Sequence, residues 1–267
     1  MPFEWQVAQL GSILRGRGVH QCLLVTTRCT TAAPARAAAV QSLTAAGIRF
    51  TQAELADEEW ATAEAVDALV EESRDIAAQA VVGVGADGVL DAAKATSVLS
   101  RVQHESAAQF LAGVGREAAP PSSRLPMVAV LTRPSLAGCS GRCLLWSNAQ
   151  LLPMQIQGDS SHWGVGPGVP ATVEIVDADF ALGARSTRTR LSEAQHNLVT
   201  AAAALALIAD MWLSTSHTIK SAMLQESTVS AVTSIRSVLD TPEGCAIDAL
   251  VATRVAGMAA TDTDATA

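Results

Sequence analysis

The chain contains no tyrosine, and aromatic residues make up only 3% of its 267 positions. A core of stacked rings is therefore excluded. The alanine-rich stretches point instead to close helix packing around small side chains. Lys and Arg form no long run and the net charge is −8, so nucleic acid is not an expected partner. The five cysteines, Cys22, Cys29, Cys139, Cys143 and Cys245, are odd in number and scattered. They build no disulfide framework and fit a reducing compartment. Cys139 and Cys143 lack the second thiol pair that a structural metal site needs. No continuous apolar core follows "MPFEWQVAQLG", which carries Glu4 early, so no secretory leader is read there. The longest apolar run, Leu198 to Leu213, is too short for a membrane span and contains Asp210. The expected compartment is the cytoplasm, with mitochondria as the alternative because Arg15 and Arg17 follow Leu14.

What is present is an alternation of short β-favouring runs with helical ones. "CLLVT" (Cys22 to Thr26) predicts a buried strand. Pro34 then opens "ARAAAVQSLTAAG", and Gly47 stops that helix. Within Ala61 to Ala80, Val66, Leu69, Val70 and Ala77 share one helical face, with Asp and Glu opposite. Ala80 to Val84 predicts a second strand, followed by a glycine turn and a helix from Val89 to Arg101. "MVAVL" (Met127 to Leu131) and "VEIVD" (Val173 to Asp177) predict two more strands, separated by an irregular, glycine-rich stretch. From Leu191 onward the pattern is helical only. The expected fold is α/β: a Rossmann-like, mostly parallel sheet domain over residues 1–184, then a short all-helical domain over residues 185–267.

The richest motif is "AVVGVGADGVLDAAK", Ala80 to Lys94. A turn between a parallel strand and a helix gathers backbone N–H groups and a helix dipole at one point. That geometry binds phosphate, and glycines allow close approach. Asp87 stands at the tip, where an incoming phosphate would meet negative charge.

"GADGVLDAAK" (Gly85 to Lys94) resembles the GGGSxxDxAK motif of the iron-dependent alcohol dehydrogenase and glycerol dehydrogenase superfamily, relatives of the dehydroquinate synthases. "GVHQCLLVTT", "RLPMVAVLTR", "PATVEIVDADF" and "ALVATRVAGMAA" are similar to further elements of that family, in the family's order. The resemblance implies an NAD(P) site in the first domain and a divalent metal, often iron, in the cleft with the helical domain. Carried over by position, Gly85, Ala86, Asp87 and Gly88 fall in the pyrophosphate loop, with Ala86 and Asp87 in place of glycines. Asp91 and Lys94 match the Asp and Lys of the next helix, and Thr132 matches the first Thr of a Thr-Thr pair, Arg133 replacing the second. Thr27 stands where many members carry the Asp that holds the adenine ribose. With Arg28 beside it, the resemblance implies that NADP would be tolerated at least as well as NAD, the other reading of Arg28 being a solvated loop cation.

The implied metal ligands are poorly kept. In "EAQHNLVTA", Glu193 falls on the family's Asp and Asn197 on its His, with His196 about 100° away around the helix. The two further His ligands lie past the last matched helix, where this sequence stops at Ala267. The expectation is a diverged, C-terminally truncated relative, with no catalytic and no metal-binding residue assigned. A residual NAD or NADP site is formed by Thr27, Gly85, Ala86, Asp87, Gly88, Asp91, Lys94 and Thr132. An active NAD(P)-dependent oxidoreductase with altered ligands is the alternative. The apolar face left on the helical half implies a homo-oligomer or a subunit of a larger assembly.

Overall fold

The computed structural model describes residues 6–30, 32–55, 61–101, 106–107, 124–132, 144–145, 164–165 and 172–176. The expected helical domain, the boundary at residue 184, the Cys139 and Cys143 pair and the Glu193 to Asn197 segment lie outside the described residues. So does the apolar run 198–213.

After a 3-10 turn at Val7–Gln9, the elements are α1 (Leu10–Gly16), β1 (Gln21–Thr27), α2 (Ala33–Ala45), β2 (Arg49–Leu55), α3 (Ala63–Asp75), β3 (Ala80–Gly85), α4 (Asp87–Leu99) and β4 (Met127–Leu131). Two short strands follow, β5 (Leu144–Leu145) and β6 (Gly164–Val165), and then β7 (Val173–Val176). Five strands form one parallel sheet in the order β2-β1-β3-β4-β7, and β5 pairs antiparallel with β6. The α/β expectation therefore holds, and all four strands read from the sequence are present.

The 3-10 turn, α1, β2 and the short β5 and β6 escaped the sequence reading, and two of them, β2 and α1, bear on the sheet. β2 is an edge strand, and its sequence "RFTQAEL" is half polar because only Ala53 and Leu55 are buried. α1 is a two-turn helix that covers the start of the sheet with Leu10 and Leu14. It is tied to α2 where the Gly11 N–H donates to the Ser42 hydroxyl at 3.0 Å.

The centre of the sheet is covered on both faces, so β1, β3 and β4 are buried almost throughout rather than alternating. Leu23, Val25, Val81, Ala129 and Leu131 face α3 and α4. Cys22, Leu24, Val82, Val84, Val128 and Val130 face α1 and α2. Burial pushes the Cys22 thiol up to about 12, because a thiolate there would lose its hydration.

The helical pattern of Ala61 to Ala80 contains a stop. Thr62 caps α3 by accepting the Ala65 N–H at 3.2 Å, and the helix ends at Asp75. The Ala77 N–H then donates to the Arg74 carbonyl and the Ala78 N–H to the Ser73 carbonyl, each at 2.9 Å. This paired closure puts Ala77 at φ 51°. α2 closes the same way, Gly47 N–H to Thr44 and Ile48 N–H to Leu43, but with Gly47 at φ 64°. The same turn is thus made once with the residue suited to it and once without.

α4 is buried on every side, from Gly88 through Leu99. It sits unusually close to β3 because Gly83 and Gly85 have no side chain. A Cβ on Gly83 would lie 2.9 Å from that of Ala93, and one on Gly85 would lie 2.8 Å from that of Val89. Arg74 locks the far end, its Nη2 donating to the Leu99 carbonyl at 2.8 Å.

Outcomes for both stability and reactivity follow. Ala77→Gly should raise the urea unfolding free energy by about 0.5–1 kcal/mol, because the left-handed strain outweighs glycine's extra unfolded entropy. Gly85→Ala should lower it by about 1–3 kcal/mol through overpacking against Val89. Gly16→Ala, with nothing within 4 Å, should leave it within about 0.5 kcal/mol. Mass-mapped alkylation at pH 8 should leave Cys22 unmodified in the native protein and modify it fully in denaturant. As its folded pKa is raised, the stability it contributes is complete below about pH 8.5 and falls as pH rises from there toward 12.

Candidate functional site

The strand order reverses direction between β1 and β3: β2 lies to one side of β1, while β3, β4 and β7 follow on the other. In open parallel sheets the crevice at such a reversal, beyond the strands' carboxyl ends, is the place where ligands bind. Three segments meet at that end here. They are Thr27 to Cys29 after β1, Ala86 to Gly88 after β3, and Thr132 after β4.

The turn after β3 is sharp. Gly85 is still strand, Ala86 is the extended N-cap of α4 at φ −121°, and Asp87 already begins the helix. α4 therefore starts two residues earlier than the sequence pattern placed it. Alanine offers no side-chain cap, and the first intrahelical bond runs from the Leu90 N–H to the Ala86 carbonyl at 3.0 Å. The N–H groups of Gly88 and Val89 precede that ladder, at the positive end of the helix dipole. Asp87 is half-buried in the same first turn. Its carboxylate stabilises the dipole through the field that would also attract a phosphate.

The eight residues singled out from the sequence divide into two groups. Thr27, Gly85, Ala86, Asp87, Gly88 and Thr132 all lie at the carboxyl end of the sheet. Asp91 and Lys94 instead lie deeper along α4, 6% and 0% exposed, with the Lys94 Nζ 3.9 Å from Asp91 Oδ1. That ion pair is internal to the helix, one turn apart, and forms part of the packing that holds α4. Gly85 serves that packing too, since the Val89 side chain occupies the space where its Cβ would be.

The Thr132 backbone N–H donates to the Gly85 carbonyl at 3.1 Å, which joins the ends of β3 and β4. Its hydroxyl is different. Thr132 is 4% exposed, and its Oγ1 has no hydrogen-bond partner among the described residues. A buried hydroxyl without a partner costs about 1–3 kcal/mol. The Thr27 hydroxyl is engaged, accepting the Cys29 N–H at 3.2 Å in a local turn.

The sequence reading missed the groups that surround Thr27. Arg36, on α2, reaches back so that its Nη1 donates to the Thr27 carbonyl at 2.8 Å. The same nitrogen lies 3.4 Å from Glu54 Oε1, and Arg28 Nε donates to Glu54 Oε2 at 2.8 Å. Gln52 donates to Glu54 Oε1 at 3.1 Å. The hydrogen bond from Arg28, followed by the charges of Arg28 and Arg36, holds the Glu54 carboxyl below its ordinary range. Glu54 is visible as a neighbour of Arg28 only once β2 is recognised, because the β1–β2 register sets Glu54 beside Thr26.

The arrangement suits a dinucleotide. It has an uncapped helix terminus behind a glycine-containing turn, a buried hydroxyl beside it, and guanidinium groups at the next strand ends. Among the described residues no group of three or more His, Cys, Asp or Glu could hold a metal ion. Among them, too, no helix is long and apolar enough to cross a membrane.

Comparison with known proteins agrees with this geometry. No curated protein sequence matches the chain. Among solved structures, the chain is similar to an NADH-dependent butanol dehydrogenase A from Thermotoga maritima, with a TM-score of 0.71 at 16% identity over 95% of this chain and 61% of that one. An iron-containing alcohol dehydrogenase from Thermococcus thioreducens gives 0.68 at 16% identity, over 96% of this chain and 63% of that one. A sulfoacetaldehyde reductase from Bifidobacterium kashiwanohense, solved with NAD+, gives 0.66 at 18% identity, over 97% and 67%. At such identities these structures speak for the fold. The chain spans about three fifths of the length of the first two, 61% and 63%. The family model of iron-containing alcohol dehydrogenases matches residues 3–147, more than half of the sequence and the whole of the turn after β3. On that match, the chain belongs to the iron-containing alcohol dehydrogenase family.

Proposed function

We propose that this chain is an NAD(P)-binding member of its family in which metal-dependent hydride transfer has been lost. It then serves as a non-catalytic subunit or binding protein, as a homo-oligomer or within a larger assembly. The observation that carries the binding half is the Thr132 hydroxyl. It is buried and without a partner among the described residues, beside the Gly85 carbonyl and the uncapped start of α4. A polar ligand across that end of the sheet would satisfy it. Gly85, Ala86 and Gly88 would present backbone to a pyrophosphate, Thr132 would lie along its path, and Thr27 would mark the ribose end. Asp91 and Lys94 act from beneath, by fixing α4. The bound dinucleotide would supply the hydride donor or acceptor.

Loss of chemistry is supported by the sequence. Oxidising an alcohol develops alkoxide charge, and a metal that stabilises it needs a full set of ligands. Asn197 stands where the family pattern has a histidine, and an amide is a poor substitute for imidazole. Asp87 adds a second departure by placing a carboxylate at the phosphate end. The competing reading is an active NAD(P)-dependent alcohol or aldehyde oxidoreductase with altered ligands. It is favoured by Asp91 and Lys94, which keep the family residues in a well-packed helix.

One sample separates the two. NADH and NADPH are titrated into the purified protein, bound metals are measured, and alcohol oxidation is assayed on the same preparation. The expected result is saturable dinucleotide binding, substoichiometric metal and no turnover. Asp87→Gly should tighten binding severalfold by removing the carboxylate. One metal per chain together with turnover would overturn the loss of catalysis. Absence of binding by either nucleotide would overturn the dinucleotide site.

A further inference from the structure

We infer that the end of the domain away from the crevice holds a separate binding site for a phosphate-class oxyanion, seated between the carboxyl ends of α3 and α4. A cavity of about 210 Å³ lies there, with Ser73, Arg74, Ser100, Arg101 and Leu125 in its wall. α4 spans 13 residues from Asp87 to Leu99, so this cavity and the crevice stand about 18 Å apart along the helix.

Two helix carboxyl ends gather carbonyl oxygens, which by themselves attract cations. Here those oxygens are already engaged. On α3, the Glu72, Ser73 and Arg74 carbonyls accept the N–H groups of Ile76, Ala78 and Ala77. On α4, the Ser97 carbonyl accepts the Leu125 N–H at 2.9 Å and the Val98 carbonyl the Arg101 N–H at 3.1 Å. The Thr96 carbonyl accepts the Ser100 hydroxyl at 2.6 Å. Arg74 closes the set, its Nη2 donating to the Leu99 carbonyl at 2.8 Å and its Nε to that of Ser100 at 3.5 Å.

What remains over is donors. Ser73 is 1% exposed, and its hydroxyl has no hydrogen-bond partner among the described residues. Arg124, next in the chain to Leu125, has a buried Nη1 in the same condition. Arg101 is exposed and brings a second guanidinium group to the wall. The wall thus carries two arginines and no carboxylate, since Glu72 and Asp75 are not among the lining residues. Buried donors without acceptors are costly, and a ligand rich in acceptors removes that cost. A phosphate dianion balances two guanidinium groups and presents acceptors to their forks, whereas a monocarboxylate balances one.

The test titrates inorganic phosphate, glycerol 3-phosphate and sodium chloride into the isotope-labelled full chain and follows its backbone amides. Phosphate should saturate with a dissociation constant on the order of 1 mM or below, shifting the amides of Ser73, Ala77, Ala78 and Arg101. Arg101→Ala should weaken it about tenfold, Arg101→Lys less, and Ser73→Ala severalfold, with NADPH affinity unchanged in all three. Arg74 is kept, because its loss would uncover the α4 carbonyls. Glycerol 3-phosphate that binds more tightly than phosphate would assign the site to a phosphorylated small molecule, and no such gain would assign it to the free ion. Both results support the seat. Shifts confined to Gly88 and Val89 would overturn it, because the phosphate would then sit in the crevice. Absence of saturable binding, the same shifts from chloride at equal ionic strength, or an affinity unaltered in Arg101→Ala and Ser73→Ala would overturn it as well.

Discussion

The close seating of α4 on β3 governs the rest of the domain. Two bare α-carbons, Gly83 and Gly85, let the helix approach the strand until Ala93 and Val89 fill the space where side chains would stand. The helix is then buried from Gly88 to Leu99, and even Lys94 is enclosed. A helix held this firmly presents its amino end at one fixed point above the sheet. What the crevice can do depends on that point: the Gly88 and Val89 amides, Thr132 bonded through its N–H to Gly85, and the β1 and β2 ends next door.

The same point carries a conflict of charge. The positive end of α4 suits an anion, and the chain has placed one of its own there in Asp87. One strand further, the balance inverts. Arg28 and Arg36 enclose Glu54 at the ends of β1 and β2 and leave an excess of positive charge. The crevice is therefore poor in attraction for an anion at the start of α4 and rich in it at the ends of β1 and β2. That distribution distinguishes the site from a plain glycine turn, whose binding energy is concentrated at the helix terminus.

Much of this was legible beforehand, for physical reasons. Central strands covered on both faces must be apolar throughout, so "CLLVT", "AVVGV" and "MVAVL" announce themselves. β2 does not, because an edge strand can stay half polar, and with it Glu54 and its arginines went unseen. The end of α3 was hidden as well, since a helix that stops on Ala77 rather than glycine leaves no mark in the sequence. At the site, residue types were readable but their depth was not. Asp91 and Lys94 are read from a motif, and only the structure shows that they are buried, 6% and 0% exposed. Thr132 is singled out by its place in the motif, and its burial adds a hydroxyl without a hydrogen-bond partner among the described residues.

The central claim is that the amino end of α4 is where this chain meets its ligand. Backbone amide resonances of Gly88 and Val89, followed in the native chain with and without saturating NADPH, test it most directly. Large shifts and slowed exchange at these two amides, with the amides of α3 unchanged, are the result this account predicts. NADPH that binds while Gly88 and Val89 stay unperturbed would contradict it.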